Sequence, residues 1–147
     1  MANLAELESR IQRLEDLEQI TRLFHKYRML VDSKDFEACV DQLFTEDARF
    51  TGGRGTHVGR DGIYRMFQNM IGVSVREKRG DDEHLFVNPV IDIDGDRATV
   101  NIAWAYFVKS ELGTPLLLKN GHHEDTVVKI HGEWKILEVK AFVDIYK

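Results

Sequence analysis

Residues 26–50, KYRMLVDSKDFEACVDQLFTEDARF, carry the reading that decides the fold, and residues 84–98, HLFVNPVIDIDGDRA, answer them. An apolar stripe ends near Leu30 and meets Asp32-Ser33-Lys34-Asp35, a run of turn and cap formers. Phe36, Cys39, Val40 and Leu43 then follow a helical spacing, which predicts a short helix over 36–44. A strand is expected over 48–51. His84 opens a strand that closes on Asp94-Gly95-Asp96, a strong hairpin signal. Asp32 and His84 lie far apart in the chain. A carboxylate and an imidazole so separated can meet in the fold as a base and the group that orients it.

Upstream, residues 3–30 read as one long amphipathic helix. Leu4, Leu7, Ile11 and Leu14 alternate spacings of three and four, and Leu17, Ile20, Phe24 and Tyr27 continue the stripe. Asn3 caps its start, with Glu6 three residues on. The first four apolar positions fit a heptad seam, so a short coiled contact between subunits is compatible with them.

Downstream, Gly52, Gly53 and Gly55 mark a flexible turn, with His57 exposed in it. Ile63, Met66, Phe67 and Met70 predict a helix over 61–71 whose apolar face is core and can also wall a pocket. The charged connection 72–83, with Arg76-Glu-Lys-Arg79 followed by Asp81, Asp82 and Glu83, reads as a solvated mobile loop or a lid. Beyond it the chain is all strand: 84–93 with 97–109, then 116–130, then 133–146 after the His131-Gly132 turn. Helices first and antiparallel strands after predict an α+β fold.

The chain has 147 residues and a net charge of −5. That length predicts one domain over 1–147. No basic face for nucleic acid is evident. Cys39 is the single cysteine, so no intrachain disulfide forms and buried packing is its expected role. No apolar run suggests a membrane span and no signal peptide is seen, so a cytoplasmic protein is the default expectation. The His122-His123-Glu124-Asp125 run suggests metal in composition alone. Adjacent strand residues face opposite ways, and neither HExxH nor paired-Cys spacing occurs, so no metal site is expected. A P-loop and a serine nucleophile elbow are also missing.

VDSKDF with Asp32, Tyr27 in KYRMLVD, His84 five residues before Pro89, and the closing GHHEDTVVKIHGEWKI together resemble the SnoaL-like branch of the nuclear transport factor 2-like superfamily. Within it the chain is similar to the scytalone dehydratase and bile acid 7-alpha-dehydratase families, over about residues 7–146. The resemblance implies a cone-shaped, curved antiparallel sheet packed against the N-terminal helices. It implies catalytic roles for Asp32, His84 and Tyr27, and a pocket-facing His123 with His122 turned away. The chain also departs from those families. Val31 and Gly52 stand where scytalone dehydratases carry tyrosines. Phe107 stands where the bile acid enzymes have an aspartate, and Val143 or Asp144 where they have an arginine.

Ile102, Trp104, Tyr106 and Val108 share one face of their strand, and Asn101, Ala103, Ala105 and Phe107 the other. By the resemblance, the face with small residues lines the cone, with Asn101 and Phe107 joining Phe86, Phe50, Met66 and His123 as substrate-binding residues. The bulky face then lies outward, and an apolar outer face predicts a homodimer or homotrimer.

Neutral His84 can take a proton from a C–H acid, with Asp32 holding its tautomer. Tyr27 or His123 can polarise a carbonyl or protonate a departing hydroxyl. Tyr27 and Asp32 are about 140° apart on an ideal helix, so their convergence requires the helix to end or loosen near Leu30. Two functions fit. One is a cofactor-independent lyase, of dehydratase type, or an isomerase for a small hydrophobic cyclic molecule such as a steroid, polyketide or aromatic-degradation intermediate. The other is a non-catalytic small-molecule-binding or assembly domain, such as a subunit like the beta subunit of ring-hydroxylating dioxygenases.

Overall fold

A computed structural model describes residues 1–146. The chain opens with α1 (Leu4–Asp32), followed by α2 (Phe36–Leu43), β1 (Phe44–Gly52), β2 (Gly55–Val58) and α3 (Gly59–Met70). Four long strands complete it: β3 (Asp82–Asp94), β4 (Arg97–Lys109), β5 (Pro115–Ile130) and β6 (Glu133–Tyr146). The strands form one sheet in the order β2-β1-β6-β5-β4-β3. The expected α+β class holds, but the sheet is mixed, because β1 runs parallel to β6 while every other neighbouring pair is antiparallel. The glycines at 52, 53 and 55 form a tight hairpin rather than a flexible turn, with Gly52 opposite Gly55 and Phe50 opposite His57. His57 is half-buried in β2 instead of exposed.

Local chemistry explains the helix ends. Asn3 and Glu6 make a reciprocal capping box at the start of α1, at 2.9 and 3.1 Å. The helix runs two residues past its expected end, and Asp32 is its last residue. There Asp35 N–H donates to the Leu30 carbonyl and Lys34 N–H to the Val31 carbonyl, the two hydrogen bonds of a Schellman motif. Lys34 takes the left-handed position with φ 63°. Its Nζ reaches the buried Asp82 carboxylate at 2.7 Å, which fastens the end of α1 to the start of β3. Asp35 in turn caps α2 through Ala38 N–H.

The helices cover the concave side of the sheet. Ile20, Leu23, Phe24, Tyr27 and Val31 of α1 pack with Phe36, Cys39, Val40 and Leu43 of α2 and with Ile63, Met66 and Phe67 of α3. The sheet meets them with Val100, Ile102, Val127, Ile136 and Val139. Along β4 burial alternates, and Ile102, Trp104, Tyr106 and Val108 are the buried set. The bulky face is therefore the concave one, which reverses the expectation. Alternation identifies two faces but not which is covered, and only large side chains fill the space between this sheet and its helices.

The connection after α3 is anchored. Asp82 accepts from Lys34, from Arg76 N–H and from the Tyr106 hydroxyl. Val75 is buried, while residues 76–80 remain exposed. β3 begins at Asp82, two residues before the expected start. Among the described residues no helix is long and apolar enough to cross a membrane.

Candidate active site

The end of α1 and the start of β3 bring Asp32 and His84 together. Both Asp32 oxygens accept the His84 backbone N–H, at 3.2 and 3.1 Å, and Oδ1 lies 2.7 Å from ring Nδ1. An ionised carboxylate only accepts, so Nδ1 carries a proton, and in the neutral imidazole it is Nε2 that presents a lone pair. Arg28 stands 3.6 Å from the other Asp32 oxygen and also reaches Glu83. An acidic residue in the last turn of a helix opposes the macrodipole. This local rule is broken where a carboxylate is needed to hold an imidazole.

His84 lines a cavity of about 430 Å³ between the helices and the concave face. Its ring packs on Tyr106, with centroids 4.6 Å apart, and stacks on Phe86. Asp32 does not line the cavity, so Nε2 is the ring nitrogen left for a ligand. Tyr27, Phe50, Met66, Phe86 and His123 line the same cavity.

Asn101 and Phe107 do not. Asn101 is exposed and Phe107 is half-buried in an outer groove, both on the convex side, so neither contacts a ligand held here. Their expected role fails with the reversed face of β4. Trp104 takes their place in the wall.

α1 is continuous through Asp32, so Tyr27 and Asp32 do not converge by loosening of the helix. Tyr27 reaches the cavity directly, and Asp32 acts on it only through His84. Burial, followed by the charges of Cys39, Asp125 and Asp32, pushes the Tyr27 phenol well above its ordinary value. It is a neutral hydrogen-bond donor at every physiological pH.

A second imidazole–carboxylate pair lies across the cavity. His123 Nδ1 is 3.1 Å from Asp125 Oδ2, and Asp125 Oδ1 accepts Lys140 N–H. Both residues are buried, at 5 and 2 % exposure. Burial pushes the Asp125 carboxyl up, against the lowering effects of His123 and of the Lys140 N–H. The His123 ring sits edge-on to Phe86, with centroids 5.2 Å apart, and 6.3 Å from Tyr27. Asp125 was not among the expected site residues, although the signal was present: residues two apart on a strand share a face. His122 points outward and pairs with Asp144 at 2.8 Å. Among the described residues no cluster of His, Cys, Asp and Glu has the arrangement of a metal site.

The sequence profile of the SnoaL-like domain matches residues 12–140, a span that contains every residue of both pairs. No curated protein sequence matches the chain. Among solved structures, a nuclear transport factor 2-like protein with a cystatin-like fold from Novosphingobium aromaticivorans is 26 % identical. The match covers 97 % of this chain and 91 % of that one, with a TM-score of 0.85. A protein from the same organism, provisionally named a scytalone dehydratase, is 23 % identical over 90 % of this chain and 87 % of its own, with a TM-score of 0.74. A Mycobacterium tuberculosis protein of unknown function is 24 % identical over 90 and 74 % of the two chains, with a TM-score of 0.79. These two show the shared fold. The family match extends over most of the chain, and the protein belongs to the SnoaL-like domain family.

Proposed function

We propose that this protein is a cofactor-independent lyase of dehydratase type, or an isomerase, for a small hydrophobic cyclic molecule. The 2.7 Å contact between His84 and Asp32, with Nε2 turned to an apolar cavity, carries this reading. Neutral His84 takes a proton from carbon next to a carbonyl, and Asp32 steadies the imidazolium that forms. The C–H electron pair moves into the new double bond, with the carbonyl serving as electron sink. Tyr27, or His123 in the form that carries a proton on Nε2, donates to the carbonyl oxygen or gives a proton to a departing hydroxyl, which leaves as water. Return of the proton to a different carbon gives isomerisation by the same groups. The name of the scytalone dehydratase-like relative agrees with this chemistry.

The lining favours an apolar ring system. Phe36, Phe50, Phe67, Phe86, Met66 and Met70 form much of the wall. A panel of cyclic β-hydroxyketones tests the proposal, with loss of water read from enone absorbance. Turnover is expected in the wild type and a loss of about 10²-fold or more in His84→Ala. Equal turnover in folded His84→Ala protein would overturn the assignment.

A homodimer or homotrimer belongs to the same reading. The convex face carries Leu85, Val87, Leu117 and Phe142, each at least 40 % exposed, beside Ala103, Ala105 and Phe107. A second copy of the chain is the occupant we propose for that surface.

A further inference from the structure

Arg54 and Lys119 line the same cavity as His84, and no carboxylate does. Asp32 and Asp125 both stand behind their histidines. Neither Arg54 nor Lys119 has a salt-bridge partner among the described residues. Arg54 sits at the tip of the β1–β2 hairpin, and Lys119 lies on β5 opposite Tyr106, with its Nζ 5.6 Å from that ring. Two cations have thus been brought to one cavity without a counter-ion. Arg54 is exposed at the cavity rim, and burial, followed by the charge of Arg54, pushes the Lys119 ammonium below its ordinary value.

Two further groups lack partners in the same wall. The Trp104 indole N–H and the Ser74 hydroxyl are both buried and unbonded. Trp104 pairs with Gly121 and Tyr106 with Lys119, which makes Trp104 and Lys119 diagonal neighbours on the concave face. Buried donors without acceptors are rare, and both belong to residues that line this cavity.

We infer that the cavity binds a ligand with an anionic substituent, a carboxylate or a phosphate, held by Lys119 and Arg54 while the apolar body faces His84. This rests on the proposed function for the apolar body and extends it to the substrate class. The anion needs no proton from the site. It neutralises the two cations.

A matched pair of fluorescent probes tests the inference. 8-Anilinonaphthalene-1-sulfonate and N-phenyl-1-naphthylamine share an aromatic body and differ by one anionic group. The wild type is expected to bind the sulfonate about tenfold more tightly, a preference that falls as salt is raised. Lys119→Met and Arg54→Met are each expected to erode that preference while leaving affinity for the neutral probe within about twofold. Lys119→Gln serves as a second variant if the methionine protein fails to fold. Competition by 2-naphthoate against 2-naphthyl phosphate then distinguishes a carboxylate from a phosphate as the preferred group. Equal affinity for both probes, or a preference unmoved by the substitutions, overturns the anion subsite and leaves the apolar acid–base site standing. Failure of the wild type to bind either probe overturns both.

Discussion

Lys34 occupies a backbone conformation that glycine adopts more readily, and its side chain shows why lysine is there. The left-handed turn aims Nζ at the buried Asp82, and the pair fastens the helix that carries Asp32 to the strand that carries His84. Removing one partner of such a buried pair strands the other, so Lys34→Met is expected to lose about 3 kcal/mol in urea unfolding. Its pH dependence has a definite sign. Burial raises the Asp82 carboxyl, but the hydrogen bonds from Lys34, Tyr106 and Arg76 outweigh it and leave the folded value below the ordinary 3.8. The contribution is therefore fully present above about pH 4 and is lost as pH falls through the folded value. Asp82→Asn is expected to flatten the acid limb of a stability profile, and an unchanged limb would contradict this assignment. His84 and Asp32 are joined by backbone as well as side-chain bonds. Asp32→Ala is therefore expected to disturb packing, whereas Asp32→Asn keeps the shape and removes the charge.

At the scale of elements, a single glycine governs how β4, β5 and β6 meet. A Cβ at Gly121, beside the register shift between β5 and β6, would overlap the Phe142 carbonyl on β6 and crowd the Trp104 ring on β4. Gly121→Ala is expected to destabilise the protein by about 1–3 kcal/mol and to move Trp104, which intrinsic fluorescence with urea titration measures. Unchanged stability would mean that β6 yields more easily than its pairing suggests. The helices and the antiparallel hairpins were legible in the sequence because their signals are local. The stripes Leu17-Ile20-Phe24-Tyr27 and Ile63-Met66-Phe67-Met70 mark apolar faces, and His131-Gly132, with φ 50° and 79°, makes a two-residue turn. The parallel pairing of β1 with β6 joins distant segments with no turn to announce it, so nothing local specified it. The reversed faces of β4 have the same origin. Period-two alternation separated Asn101 and Phe107 from Trp104 and Tyr106 correctly, but coverage by the helices decided which set was buried. For the site, Asp32, His84 and His123 stood in readable frames. Asp125 stood in a run that suggested metal by composition alone, and Lys119 and Arg54 carried no local signal, because only the fold shows which charges share a cavity.

The whole molecule is an open sheet with helices on one side only. Its concave side is covered by the helices, which leave the cavity there, and its convex side is bare. Leu85, Val87, Phe107, Leu117 and Phe142 lie on the bare side, and Phe107→Glu places a charge among them. Light scattering is expected to give a dimer or trimer mass for the wild type and a shift toward monomer for the variant. A monomeric wild type at micromolar concentration would remove the case for assembly. The first half of α1 extends past the sheet, with Leu4, Leu7, Ile11 and Leu14 exposed, so the helix core begins only at Asp16. The cavity lies at the other end of α1, where Asp32 meets β3, and the two ends make separable demands on the sequence.

In the proposed mechanism His84, held by Asp32, removes a proton from carbon. Deuterium exchange next to the carbonyl of cyclic ketones in heavy water, followed by NMR, tests it without knowledge of the natural substrate. The wild type is expected to exchange at least one ketone of a varied panel, with losses of about 10²–10⁴-fold in His84→Ala and a marked loss in Asp32→Asn. Exchange that persists undiminished in both folded variants, or that the wild type does not catalyse with any member of the panel, would contradict the account.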